Sequence, residues 1–208
     1  FTDETIVKFQ LGYSFNSWSV FGETATKAGY NEDYLVRTGL CFRNDKGQLL
    51  DRFRGRVMFP IHNQSGRVIG FGGRILKKDE KTAKYLNSPE TPVFSKGREL
   101  YGLYQGRRAI RDAGCVIVVE GYMDVVALAQ LGFPNAVATL GTACTANHVR
   151  MLLRQTDKVV FSFDGDLAGQ RAAQRALEAC LPLMSDDKEI RFLFLPSEHD
   201  PDSYVRAY

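Results

Sequence analysis

Residues 115–124 read Cys115-Val116-Ile117-Val118-Val119-Glu120-Gly121-Tyr122-Met123-Asp124. An unbroken apolar run rich in β-branched residues is the pattern of a strand buried on both faces, as strands of a parallel sheet are when helices cover each side. The run stops at an acid and a glycine, and an apolar helix is predicted from Tyr122 to Leu131, ending near Gly132. The same unit then recurs. Ala136 to Leu140 is a second predicted strand, and Thr145 caps a helix running towards Leu153. Lys158 to Phe163 is a third strand, followed by an amphipathic helix with Leu167, Ala172, Ala176, Leu177, Cys180 and Leu181 on or near one stripe; Ile190 to Leu195 is a fourth. Regular alternation of strand and helix predicts an α/β fold, a Rossmann-like parallel sheet flanked by helices with right-handed crossovers.

Open sheets of this kind bind ligands beyond the carboxyl ends of their strands. Acids stand at those ends three times. Glu120 follows the first strand and Asp124 lies about one helical turn on; Asp164 and Asp166 follow the third as Asp-Gly-Asp; Asp200 and Asp202 follow the fourth as His199-Asp200-Pro201-Asp202. A single acid after a strand ordinarily caps the next helix, but three clusters in one alternating unit exceed what capping requires. Unpaired, so many anions at one edge would cost on the order of several kcal/mol, so a cation is expected beside them. Oxygen ligands without a His/Cys pattern favour a hard divalent ion, Mg2+ with Mn2+ able to substitute. Glu120, Asp124, Asp164, Asp166, Asp200 and Asp202 are the candidate ligands, and His199 is read as a hydrogen-bonding or surface residue.

The first half differs. Thr2 before Asp3 and Glu4, and Asn31 before Glu32 and Asp33, are predicted helix starts, with Gly39 ending the second helix. Val57 to Ile61 and Val68 to Phe71, joined through His62–Arg67, predict a hairpin. The run from Lys77 to Lys84 is read as a basic excursion, and Tyr85 to Pro92 as a loop that Pro89 and Pro92 keep from being a continuous helix. We divide the chain into a basic mixed α+β subdomain, residues 1–109, and the α/β unit, residues 110–208. The net charge of +3 is too small to announce a nucleic-acid binder, yet basic residues thicken between Arg43 and Arg111 while acids gather later. Such a division suits a protein holding a polyanion beside a divalent metal.

Composition excludes other classes. No run of about 18 apolar residues is present and the N-terminus lacks a signal-peptide pattern, so a cytoplasmic protein without membrane contact is expected. Cys41, Cys115, Cys144 and Cys180 are scattered without CxxC spacing, which predicts neither zinc nor disulfides.

Glu120-Gly121-Tyr122-Met123-Asp124 followed by Asp164-Gly165-Asp166 resembles the Toprim domain of primases, topoisomerases and some nucleases. Four further stretches narrow the resemblance: Arg52-Phe53-Arg54-Gly55-Arg56-Val57-Met58-Phe59-Pro60-Ile61, Gly70-Phe71-Gly72-Gly73-Arg74, Lys84-Tyr85-Leu86-Asn87-Ser88-Pro89-Glu90-Thr91 and Phe94-Ser95-Lys96-Gly97-Arg98-Glu99-Leu100-Tyr101-Gly102-Leu103. Together they resemble the catalytic core of bacterial DnaG-type primases, from about Thr2 to the end of the chain. The resemblance implies a DNA-dependent RNA polymerase that makes short primers on single-stranded DNA from nucleoside triphosphates during replication, in the cytoplasm at the nucleoid. It implies Glu120, Asp164 and Asp166 as catalytic acids. Arg74, Lys84, Tyr85, Asn87 and Lys96 match nucleotide- and template-binding positions. The family's zinc-binding module and helicase-binding domain are not in this sequence, so the replicative helicase is expected as a partner only through a domain absent here. Two other readings stand beside it: another Toprim enzyme, nuclease or topoisomerase fragment, and a non-catalytic DNA-binding scaffold.

Overall fold

The computed structural model describes residues 1–76, 82–196 and 198–208. The basic residues Lys77, Lys78 and Lys81 of the expected excursion lie outside the described residues. The chain forms two units, each assembled from separated stretches. One comprises Gln10–Ile61 and Val68–Ser95; the other comprises Phe1–Phe9, His62–Arg67 and Lys96–Tyr208. Helix α1 (Asp3–Phe9), with Asp3 and Glu4 at the positive end of its dipole, belongs to the second of these.

The first unit contains β1 (Gly12–Ser14), α2 (Val20–Lys27), α3 (Glu32–Arg37), β2 (Cys41–Arg43), β3 (Leu49–Asp51), β4 (Arg56–His62), β5 (Val68–Ile75) and β6 (Tyr85–Asn87). Strands β1, β4, β5 and β6 form one sheet in that order, and β2 pairs with β3 in a small hairpin. Helix α3 starts as expected, the Asn31 side chain accepting the Asp33 N–H at 2.7 Å, and Gly39 follows its end at φ +71°. Helix α2 is held from a distance in sequence: buried Asp51 accepts the N–H groups of Phe21 and Gly22, each at 2.8 Å. The segment read as a loop from Tyr85 requires correction. Tyr85–Asn87 is a strand antiparallel to β5, with Gly72 opposite Asn87, Gly73 opposite Leu86 and Arg74 opposite Tyr85. Pro89 and Pro92 exclude a helix but not three paired residues ahead of them, a length too short for alternation to register.

The second unit carries the parallel sheet. After α4 (Leu103–Ala113) come β7 (Val116–Val119), α5 (Tyr122–Gln130), β8 (Ala136–Ala138), α6 (Ala146–Leu153), β9 (Lys158–Phe163), α7 (Leu167–Cys180), β10 (Glu189–Phe194) and α8 (Pro201–Ala207). Strand order is β10-β9-β7-β8, each neighbouring pair parallel. The predicted strands and helices therefore stand within a residue or two of their expected bounds. Residues 109 and 110, between which the two subdomains were divided, lie within α4. The core under the sheet joins Leu103, Ile110, Val116, Val118, Val137, Val149, Leu152, Val159 and Phe161. A fully buried side chain of this size stabilises by about 1.5–3 kcal/mol. The stripe of α7 is also corrected: Gly169, Ala173, Ala176 and Cys180 are buried, whereas Leu167, Leu177 and Leu181 are exposed. The small residues at i, i+4, i+7 and i+11 let the helix approach the sheet closely. Among the described residues no helix is long and apolar enough to cross a membrane.

Candidate active site

Strand β7 is followed in sequence by β8 on one side and neighbours β9 on the other, so the connections diverge between β7 and β9. That divergence opens the crevice in which open α/β sheets bind ligands. Glu120 leaves the end of β7 and Asp164 the end of β9, the neighbouring parallel strand, and the charges of Asp164 and Asp166 act on the Glu120 carboxyl. The two acids therefore point into one space.

The others arrive by separate routes. Asp124 sits in the first turn of α5, at the positive end of its dipole. A side chain at position 121 would place its Cβ 2.9 Å from Asp124 Oδ2, which is why a glycine separates Glu120 from α5. Asp166 caps α7, its Oδ1 accepting the Gly169 N–H at 2.8 Å. Asp200 caps α8 in a reciprocal box, Oδ1 accepting the Ser203 N–H at 2.8 Å while Ser203 Oγ bonds the Asp200 N–H at 3.0 Å. Asp166 and Asp200 thus do serve as caps, and they also join the acid group. Helix α8 packs on α5 and brings Asp200 and Asp202 within electrostatic reach of Asp124. Asp202 accepts from Arg206 Nε at 2.7 Å, an exposed pair one turn apart. Glu120, Asp124, Asp164, Asp166 and Asp200 form no ion pair with Lys, Arg or His among the described residues.

The charges register on one another. Burial, then the negative charges of Asp164 and Asp166, raise the Glu120 carboxyl above its usual range, partly opposed by the Asp164 N–H. Asp124 is pushed up to about 7 by burial and by Asp200, Asp164 and Asp202. Asp164 is raised by burial and by Asp166 and Asp200. Asp200 is lowered, chiefly by the Ser203 N–H it accepts. Among the described residues no three His, Cys, Asp or Glu side chains are grouped closely enough to hold a metal ion by themselves. The donors nonetheless fit a hard cation: they are all carboxylate, only Asp202 is in an ion pair among the described residues, and the proton affinities of Glu120, Asp124 and Asp164 are raised by their acidic neighbours. A Mg2+-sized ion keeps waters and substrate phosphates among its ligands and needs only one or two carboxylates, not a closed cage.

Sequence reading missed Gly169. A Cβ there would lie 2.0 Å from the backbone oxygen of Asp164, so the glycine allows the Asp164-Gly165-Asp166 turn to fold onto α7. Gly169→Ala is expected to destabilise the chain by about 1–3 kcal/mol and to weaken Mn2+ binding. Thermal melts and a calorimetric titration check this; a variant unchanged in both would remove the packing argument. His148 was missed too, although Thr145-Ala146-Asn147-His148 has capping-box spacing. Its Nδ1 accepts the Thr145 N–H at 3.1 Å, so Nε2 carries the proton and donates to the Lys96 carbonyl at 2.9 Å. Burial lowers the His148 pKa, in keeping with a neutral ring.

Lys96 itself, on the turn Lys96–Arg98, belongs to the same unit as the acids. Arg74, Lys84, Tyr85 and Asn87 belong to the other, where the β5–β6 ladder brings them together. Arg74 Cζ lies 5.9 Å and Lys84 Nζ 5.3 Å from the Tyr85 ring centroid, within cation–π range of one partly exposed ring. The Asn87 carbonyl accepts from Arg52 Nε and Nη2 at 3.3 and 3.0 Å.

Comparison with known proteins adds names to this geometry. Residues 1–107 match the family described as the DNA primase catalytic core, N-terminal domain, and residues 114–193 match the Toprim domain. The chain is 57% identical to the DNA primase of Neisseria meningitidis serogroup A over 205 residues, covering 99% of this chain and 34% of that protein. It is 50% identical to the Escherichia coli K12 DNA primase over 203 residues, covering 98% of this chain and 35% of that protein. It thus spans about a third of the length of these relatives. Among solved structures, a DnaG primase catalytic domain bound to ssDNA superposes with a TM-score of 0.91 at 49% identity, covering 99% of this chain and 66% of that one. A DNA primase domain from Pseudomonas aeruginosa superposes with a TM-score of 0.90 at 52% identity, covering 99% and 64%.

Proposed function

The chain belongs to the DNA primase catalytic-core family, and on that premise we propose that it houses the polymerising centre of a primase, joining ribonucleotides into short RNA primers on single-stranded DNA. The observation that carries the proposal is that Glu120 and Asp164 end the neighbouring parallel strands β7 and β9 at the point of divergence, with Asp124, Asp166 and Asp200 in electrostatic reach. Membership of a Toprim primase family implies dependence on a divalent metal; Mg2+, replaceable by Mn2+, suits these oxygen donors best. When bound, such an ion would offset charge on the attacking and leaving oxygens of an in-line displacement at phosphorus. Asp164, Asp166, Asp124, Asp200 and Asp202 supply carboxylates to hold it. Glu120, kept prone to protonation by burial and by its neighbours, is placed to receive the proton of a 3′-hydroxyl or to serve as a ligand. Cys41, Cys144 and Cys180 are assigned no zinc, since burial pushes their thiols up to about 11, 12 and 11, away from the thiolate that zinc requires.

Arg74, Lys84, Tyr85 and Asn87 are assigned to nucleotide or template, with Lys96 added from the other unit. Cations flanking an exposed ring suit a strand held by its phosphates with one base stacked. A related DnaG primase catalytic domain has been solved bound to ssDNA, which supports this assignment. A replicative helicase would engage through sequence outside this chain, in the cytoplasm at the nucleoid. The relatives compared are all primases, which favours this reading over a Toprim nuclease or topoisomerase.

Two measurements test the two halves. Asp164→Ala should weaken Mn2+ binding in calorimetry by about tenfold or more, the loss of one charged ligand; equal affinity in parent and variant would leave a scaffold without a metal centre. Lys84→Ala should weaken single-stranded DNA binding by about five- to tenfold and reduce the salt slope by about one. An unaltered slope would return Lys84 to the solvated surface.

A further inference from the structure

We infer that Arg56 is a positioning residue for the nucleic-acid edge: from inside the first unit it fixes the spacing of the two backbone segments that carry Arg74, Lys84 and Tyr85. The inference rests on the nucleic-acid role proposed for those three side chains. Arg56 opens β4 and is 4% exposed, although it carries a full charge. Its Nη1 donates to the Gly73 carbonyl at 3.4 Å and the Lys84 carbonyl at 3.3 Å, and its Nη2 to the Ala83 carbonyl at 2.8 Å. Gly73 immediately precedes Arg74, while Ala83 and Lys84 lead directly into Tyr85. One rigid guanidinium therefore joins both sides of the functional edge.

Three features make this a positioning device rather than filler. Strand β6 has only three paired residues, so the ladder alone gives its N-terminal end little hold; the Ile75 N–H to Lys84 carbonyl bond at 3.1 Å and the Arg56 fork extend that hold beyond Tyr85. Next, the stem of Arg56 occupies the space that a side chain at Gly73 would need. A Cβ there would lie 3.0 Å from Arg56 Cδ and 2.9 Å from Phe53 Cδ1, so the residue just before Arg74 is packed against the arginine that sets it. The base of Arg56 is itself fixed, its N–H donating to Ser14 Oγ at 3.0 Å and Ser14 Oγ donating to its carbonyl at 3.3 Å. An apolar residue could fill the same volume without desolvating a charge, but it would withdraw three hydrogen bonds from the carbonyls of Gly73, Ala83 and Lys84, the last of which would keep the Ile75 N–H. The planar fork reaches the three carbonyls from two separate nitrogens, whereas a lysine offers its three donors from a single atom at the end of a flexible stem.

The test is a double-mutant cycle on the 208-residue chain, reading anisotropy of a fluorescent single-stranded oligonucleotide across a salt series. Lys84→Ala should weaken binding by about five- to tenfold in the parent. Arg56→Met should weaken it at least as much and lower the salt slope, although Arg56 is itself closed off from solvent. In the Arg56→Met background, Lys84→Ala should then add less than about twofold, because coupled residues are not additive. Arg56→Lys should fail to restore affinity, and it replaces the methionine variant in the cycle if circular dichroism shows that variant unfolded. Full additivity, or rescue by lysine, overturns the positioning role while leaving the nucleic-acid edge intact. If Lys84→Ala alone changes nothing, the edge assignment fails and the inference falls with it.

Discussion

Glu120→Gln is expected to lower primer synthesis on a single-stranded template by about 10²- to 10⁴-fold, the range over which a positioned acid–base group acts. The amide keeps the shape of the carboxylate and removes a charge that its acidic neighbours oppose, so the β7 end and the crevice should survive. Single-stranded DNA affinity should stay within about twofold, since Glu120 stands in the unit that does not carry the β5–β6 edge. The decisive comparison is primer yield against anisotropy on one preparation. A lost yield with unchanged affinity assigns Glu120 to the chemical step. An unchanged yield would show that the acid nearest the strand divergence takes no part in it, and the polymerase centre would have to lie elsewhere. A loss of both would mean that the substitution disturbs the fold, which a melt would reveal. Glu120 is the sharpest test because it joins both kinds of argument: it ends a strand that the sequence specifies plainly, and it is coupled electrostatically to the acid that ends the neighbouring strand.

Legibility in the sequence followed local chemistry. Val116–Val119 and Lys158–Phe163 are buried runs of β-branched and aromatic residues with acids at their ends, so both the strands and the positions of Glu120 and Asp164 could be read. That the two would stand side by side was not readable, because neighbouring of β7 and β9 depends on strand order, which adjacency in sequence does not give. Asp166 and Asp200 show why weighing caps against ligands by sequence is incomplete. Each caps a helix with one oxygen and contributes its charge to the rim as well, so the two readings do not exclude one another. Gly169 carried no visible signal because its requirement comes from the Asp164 carbonyl, five residues back and in a turn. The discontinuity of the units was equally hidden. The turn His62–Arg67 joins β4 to β5 yet belongs with the second unit, where the His62 and Tyr104 rings stack at 5.8 Å. Tyr85–Asn87 pairs because Arg74 and its neighbours offer an edge, not because three residues have a strand signature of their own.

Asp124→Asn is expected to stabilise the metal-free chain at pH 8, the opposite of what loss of a site residue usually does. Folding raises the Asp124 pKa from 3.8 to about 7, through burial first and then the charges of Asp200, Asp164 and Asp202. A carboxyl whose proton is held more tightly in the folded state contributes no penalty below pH 4. Its penalty grows as pH rises through the interval from 4 to 7 and is complete above 7. Three units correspond to about 4 kcal/mol, and screening of a half-buried group by water reduces this to about 2 kcal/mol. For a chain of this size that is a rise in melting midpoint of about 4–8 °C on removing the charge. The gain should fall to about a third of this at pH 5, where the folded parent holds a proton that the unfolded chain has mostly released. Divalent metal should reverse the order: at pH 8 saturating Mn2+ stabilises the parent by occupying the folded state alone, and stabilises Asp124→Asn less. A parent midpoint that does not fall between pH 5 and pH 8, or a variant less stable than the parent without metal at pH 8, would mean that the acids are not under mutual strain. The case for a cation would then lose its physical basis, because it is the unrelieved repulsion of Glu120, Asp124 and Asp164 with Asp166 and Asp200 that a bound ion has to relieve.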